Sequence, residues 1–189
     1  MKKGQGLLEV VVAIGVLSTG VFSAVTLMTS GLNSVLENEG RLKASNLARE
    51  GIEAVRGIRD SNWLQSNVWD TGLSGAGFDY TGAAVFDSNT GIWTIDFDAN
   101  SIGDAEALFR ADLNGFLLEA VSSGTETQFR RLITLNPICF ESVGGTYAII
   151  QAGVCPEKKV GIEVRSDIRW NVGTRTHNLS FVENIYDWR

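Results

Sequence analysis

The sequence predicts an α+β fold: one long N-terminal helix packed on an antiparallel β-sheet head. Three observations carry that prediction. No charged residue occurs from Val10 to Leu36, although the 189-residue chain has a formal net charge of −6. Apolar residues then recur at spacings of three and four as far as Ile58, and apolar and polar residues alternate near the C-terminus. Composition narrows the class further. With 44% hydrophobic residues and two prolines, the chain can bury a core and is not a proline-rich linker protein. A net negative balance argues against a nucleic-acid partner, because phosphate contacts need clustered cations.

The first element is the uncharged run. As a helix rising about 1.5 Å per residue, it is long enough to cross a hydrocarbon core of about 30 Å. Lys2 and Lys3 precede it, and Glu37 and Glu39 follow it. The positive-inside rule then places the N-terminus in the cytoplasm and the rest outside the cytoplasmic membrane. A cleavable secretory signal has a shorter apolar stretch followed by a small-residue cleavage triplet, and this run has neither property. An uncleaved single-pass anchor explains everything except Gly4 and Glu9.

The second element continues the first. Ala44, Leu47, Ala48, Ile52, Val55 and Ile58 form one apolar stripe. Glu37 with Arg41, Glu39 with Lys43 and Arg49 with Glu53 are spaced as i, i+4 pairs, each worth a few tenths of a kcal/mol. With no proline before Pro137, a single helix is expected from about Leu7 to about Arg59, ending near Asp60-Ser61-Asn62.

From Ser66 to Gly91, glycine, serine, asparagine and aspartate dominate, with Trp69, Phe78, Tyr80 and Phe86 interspersed. This reads as a long irregular connection pinned by aromatics. Strands are expected at Gly91–Phe97, Gly115–Glu119, Phe129–Leu135 and Tyr147–Gln151. The clearest is a C-terminal hairpin. Val160, Ile162, Val164, Ile168 and Trp170 alternate with polar residues, broken in phase only at Ser166; Asn171-Val172-Gly173 turns the chain, and Thr174 to Ile185 returns. Tyr186 and Trp188 are expected to pack at the end.

The N-terminus carries a specific resemblance. Basic Lys2 and Lys3, Gly4, four further residues, Glu9 and an apolar helix together resemble the class III signal of type IV pilins and pseudopilins. That resemblance implies cleavage between Gly4 and Gln5 by a prepilin peptidase, methylation of the new amino terminus at Gln5, and assembly with other pilin subunits. It makes Glu9 the fifth mature residue, with the cationic terminus of a neighbouring subunit as its partner. In physical terms, a carboxylate at a bilayer centre costs about 2.5–3.5 kcal/mol, so a charge at the head of such a helix invites a counter-charge. Gln5 departs from the apolar residue usual at that position, and an N-terminal glutamine can cyclise unless methylated. The segment from Ala44 to Glu53, with Arg59-Asp60-Ser61-Asn62-Trp63, is also similar to PilV-like minor pilins.

The resemblance thus implies a leader at 1–4, a transmembrane and filament-core helix at 5–32, its amphipathic continuation at 33–62 and an exported head at 63–189. The functional expectation is a minor pilin-like subunit of a pilus or secretion pseudopilus, exposed at the cell surface after assembly. The alternative is an anchored extracellular binding or adhesion domain that never polymerises.

Cys139 and Cys155 are the only cysteines. In an exported head they are expected to form a disulfide, as pilins often have near the C-terminus; two buried free thiols are the other reading.

No catalytic or cofactor-binding set is expected. His177, the single histidine, lacks triad partners in its neighbourhood and reads as a sheet-surface residue. Asp96, Asp98 and Asn100 imitate a calcium loop, but Ser101 and Ala107 occupy positions that need glycine and glutamate. Asp104 with Glu106, and Asp112 with Glu119, read as acidic-surface pairs, and Arg130-Arg131 as a solvated strand pair. Gly75-Ala76-Gly77 and Gly144-Gly145 lack the lysine and context of a phosphate loop.

Overall fold

The computed structural model describes the chain except residues 1, 2, 76–79, 88, 113, 114, 116, 120–122, 142, 143, 152 and 189, with residues 3–5 described by their backbone alone. The fold is α+β: one helix with an apolar stretch, packed against an antiparallel eight-stranded sheet. The helix, α1, spans Lys3–Leu64, and the chain divides into two compact units, Met1–Arg41 and Leu42–Arg189.

In the second unit the expected stripe is the packed face. Ala44, Leu47, Ala48, Ile52, Val55 and Ile58 are all buried. Of the expected charge pairs, Arg49 and Glu53 do not pair in this structure. Glu53 instead bonds Arg56 at 2.5 Å, one turn on, and Arg49 lies over the Phe181 ring at 5.8 Å.

The helix ends later than Asp60-Ser61-Asn62. Its last turn closes with Asn67 N–H donating to Asn62 O (2.9 Å) and Ser66 N–H to Trp63 O (3.2 Å), with Ser66 at φ 60°. This is a Schellman termination with serine where glycine is usual, so no glycine marks it in the sequence. The Asn62 side chain donates to Trp69 O and Thr71 O, tying the helix end to the following loop.

The strands are β1 (Thr81–Asp87), β2 (Ile92–Asp96), β3 (Leu108–Ala111), β4 (Leu117–Leu118), β5 (Thr125–Glu141), β6 (Thr146–Ile149), β7 (Lys158–Val172) and β8 (Arg175–Tyr186). Strand β5 is the spine. One edge pairs along its length with β7, which pairs with β8; the other edge takes β3, β1 and β6 in turn. That arrangement explains Pro137 inside a strand. Leu135 N–H reaches Tyr80 O, so alternation turns the nitrogen of residue 137 to the same side, beyond the end of the β1 pairing and before that of β6. No ladder bond is lost there.

Two elements depart from expectation. Strand β1 lies within the supposed irregular connection, where Trp69 and Tyr80 are nonetheless buried and Phe86 is half-exposed. Phe78 lies outside the described residues. Strand β3 falls in a stretch with too few residues to show alternation. The C-terminal hairpin turns through Gly173-Thr174 and not Asn171-Val172-Gly173, because Asn171 and Val172 still pair with Thr176 and Arg175; Gly173 at φ 59° fits the first position of a type II′ turn.

Ser166 is fully buried and keeps the inward phase of β7. The helix packs tightly against it: a Cβ on Gly51 would lie 2.9 Å from Ser166 Oγ and 3.1 Å from Arg131 Cδ. These three residues separate two apolar clusters. One is built around Ile52, Val55, Ile133, Leu135, Ile162 and Val164, the other around Leu47, Phe109, Phe129, Ile168 and Trp170.

Candidate functional site

Two regions carry functional geometry, and the first is the unit Met1–Arg41. Every residue from Gly6 to Leu36 is exposed, including large apolar side chains such as Leu7, Val10, Ile14, Leu17 and Phe22. This helix is apolar and long enough to span a membrane. Six of its hydroxyls bond the helix itself, as side chains do where no water is at hand. Ser18, Thr19, Ser23, Thr26, Thr29 and Ser34 each donate to a carbonyl three or four residues back. Glu9 is exposed at the head of the uncharged run. Lys2 and the side chains of Lys3, Gly4 and Gln5 lie outside the described residues.

The second region is a cleft of about 720 Å³ in the head. Its inner wall is buried: Ala84 of β1, Phe109 of β3, Glu119 just after β4, and Arg131 of β5. Toward the surface lie Phe86, Trp93, Glu50, Asp87 and Asp112. Arg131 is 1% exposed and Glu119 3%. Arg131 Nε and Nη2 donate to Glu119 Oε2 at 3.0 and 2.7 Å, and its Nη1 donates to Leu47 O of the helix at 2.7 Å. The guanidinium also lies over the Phe109 ring at 4.9 Å. Ala84 N–H donates to the same carboxylate oxygen, Oε2, while Oε1 has no hydrogen-bond partner. Burial pushes the Glu119 carboxyl up to about 7, against the opposing pull of Arg131.

Arg131 and Glu119 therefore correct the sequence reading. Neither is solvated; together they form a buried ion pair that ties sheet to helix. The signal was present in phase, since Phe129, Arg131, Ile133 and Leu135 all occupy inward positions of β5. Arg130 turns the other way and donates to Gly103 O and Asp104 O.

The remaining candidates have local roles. Asp104 accepts from the N–H groups of Asn100 and Ser101, and Asp96 from that of Asp98, as loop carboxylates do. Among the described residues no group of three His, Cys, Asp or Glu is placed to hold a metal ion. His177 is half-buried and stacks on Trp170 with ring centroids 5.2 Å apart. Cys139 and Cys155 are joined in a disulfide. Trp188 touches Trp63 edge-on but remains 71% exposed, so it packs on one side only.

No protein-family model, curated protein or solved structure matches this chain.

Proposed function

We propose that the chain is a type IV pilin-like subunit, of the minor kind, held in the cytoplasmic membrane by its N-terminal helix and then assembled through that helix into a pilus or secretion pseudopilus. One observation carries the reading. A fully exposed, uncharged helical run begins directly after Glu9, and the same helix packs its later turns on an antiparallel sheet. That combination is pilin-like in architecture. An exposed apolar surface of this length needs lipid before assembly and other copies of such helices afterwards.

In this reading Gly4–Gln5 is the scissile bond, prepilin peptidase is the processing partner, and Gln5 carries the methyl group. Glu9 sets register against a neighbouring subunit's terminus. The role is structural, with no catalytic step assigned to the chain. Loss of Lys2 and Lys3 with the leader would move the formal charge from −6 to −8.

An anchored binding domain that never polymerises is the competing reading, and the head cleft favours it. Intact mass and N-terminal sequencing of protein extracted from membranes separate the two. The pilin reading expects a chain that begins at Gln5 and carries one added methyl group. A mature chain still beginning at Met1 refutes it.

A further inference from the structure

The head cleft has a charge and shape that the filament role leaves unused. Its lining holds four carboxylates, Glu50, Asp87, Asp112 and Glu119, and the one cation described there, Arg131, is engaged by Glu119 at 2.7 Å and lies 3.9 Å from Glu50. The sequence from Asp112 to Ser122, which borders the cleft through Leu117 to Glu119, contains no lysine or arginine. All three donors to Glu119 converge on Oε2, which leaves a buried carboxylate oxygen without a donor at the inner wall. A buried acceptor of this kind costs stability unless something donates to it. Asp87 stays ionised, because the Thr90 hydroxyl and the Asn89 N–H bond its carboxylate and hold it below the usual range.

The apolar part of the cleft combines the aromatic rings of Phe86, Trp93 and Phe109 with the aliphatic Leu117 and Leu118. The Phe86 and Trp93 rings lie 5.0 Å apart at 48°, and Phe86 is 42% exposed although it belongs to a strand of the sheet. Aromatic faces and carboxylates around one opening attract a cation through both ring quadrupole and charge.

We propose that this cleft binds a small organic cation, a protonated amine on an aromatic or aliphatic body. Phe86 and Trp93 hold the body, and the ammonium lies among the carboxylates, with Glu119 Oε1 as its innermost acceptor. An anion is disfavoured by the same four carboxylates, and a neutral ligand gains nothing from the excess of negative charge over the single arginine.

The test uses the full chain in non-ionic detergent, labelled with fluorotryptophan, with the Trp93 resonance assigned from Trp93→Phe. Phenethylammonium is titrated beside two ligands of similar shape, neutral phenylpropanol and anionic hydrocinnamate. The expected result is a saturable shift of the Trp93 signal by phenethylammonium, with a Kd of about 1 mM or tighter. Hydrocinnamate should give no shift, and phenylpropanol one at least about fivefold weaker in affinity. Asp112→Asn and Glu50→Gln should each weaken the amine about two- to fivefold. Asp112 is outside the buried pair and Glu50, 43% exposed, meets it only at 3.9 Å from Arg131, so these variants keep the proposal testable even where Glu119→Gln disturbs folding. Equal affinity for amine and alcohol, no saturable shift, or undiminished affinity in the Asp112→Asn/Glu50→Gln double variant would each overturn the proposal.

Discussion

At the scale of single residues, the head is organised around a charge it has buried. Glu119 and Arg131 hold each other in place, and a buried pair of this kind is costly to break on one side. Arg131→Met is expected to destabilise the head by about 3–5 kcal/mol at pH 8, because the carboxylate is left without a cation. The defect should shrink toward pH 5, where Glu119 is protonated. The wild type has its own pH dependence. Glu119 has a folded-state value of about 7 against an ordinary 4.5, so between those limits the folded state keeps a proton that the unfolded state has released. Its contribution to stability is therefore full below about pH 4.5 and is lost as pH rises through 7. Denaturant unfolding from pH 4 to 8 on the wild type, Arg131→Met and Glu119→Gln checks both statements. Glu119→Gln should lack the slope, and an Arg131→Met defect equal at pH 5 and 8 would contradict the account. Gly51 is the steric counterpart of this pair. Gly51→Val places side-chain atoms against Ser166 and Arg131 and should cost about 1–3 kcal/mol, read by the same unfolding measurement.

At the scale of elements, the disulfide closes the β5–β6 hairpin region onto the strand that follows. Cys139 belongs to β5 and Cys155 precedes β7, with sixteen residues of separation and β6 between them. The chain-entropy account gives roughly 3 kcal/mol for a loop of that size, so Cys139→Ser/Cys155→Ser should lower stability by about that amount. Paired melts of wild type and double variant measure it; an unchanged midpoint would show that the bond constrains nothing. Elements differ in how plainly the sequence announces them, for physical reasons. The stripe from Ala44 to Ile58 and the β7–β8 hairpin are long enough for periods of 3.6 and 2 to show above noise. Strand β1 reads Thr-Gly-Ala-Ala-Val-Phe-Asp, small residues set among turn formers, and its pairing with β5 is only Thr81-Gly82 against Ile133-Thr134. Such a strand exists because its partners are there, which is a tertiary cause with no local signature. The serine at the helix terminus hides that boundary in the same way. The Glu119–Arg131 pair was legible in half. The inward phase of Arg131 can be read from its β5 neighbours, whereas the partner twelve residues earlier is set by how β3 and β4 fold back.

At the scale of the whole molecule, one helix serves two environments, and the change falls where charge returns to the sequence. From Gly6 to Leu36 every residue is exposed, and from Ala44 onward the apolar stripe is buried. Glu9 is the exception within the first part, the one carboxylate at the start of an otherwise uncharged run. In a membrane such a group is unfavourable by about 2.5–3.5 kcal/mol at the centre and less near the interface. Removing it should leave the helix inserted at least as well. If Glu9 pairs with a neighbouring subunit's amino terminus, removing it should instead weaken assembly. Losing one partner of a desolvated charge pair costs about 2 kcal/mol or more, which corresponds to about a thirtyfold loss or more. Glu9→Ala is therefore expected to be cleaved after Gly4 and to accumulate as processed protein in the membrane, with incorporation into sheared filaments down about thirtyfold or more. Immunoblots of the filament and membrane fractions, with N-terminal sequencing of the membrane pool, separate failed processing from failed assembly. Wild-type incorporation of Glu9→Ala would remove the pairing role while leaving the anchor and the head unaffected.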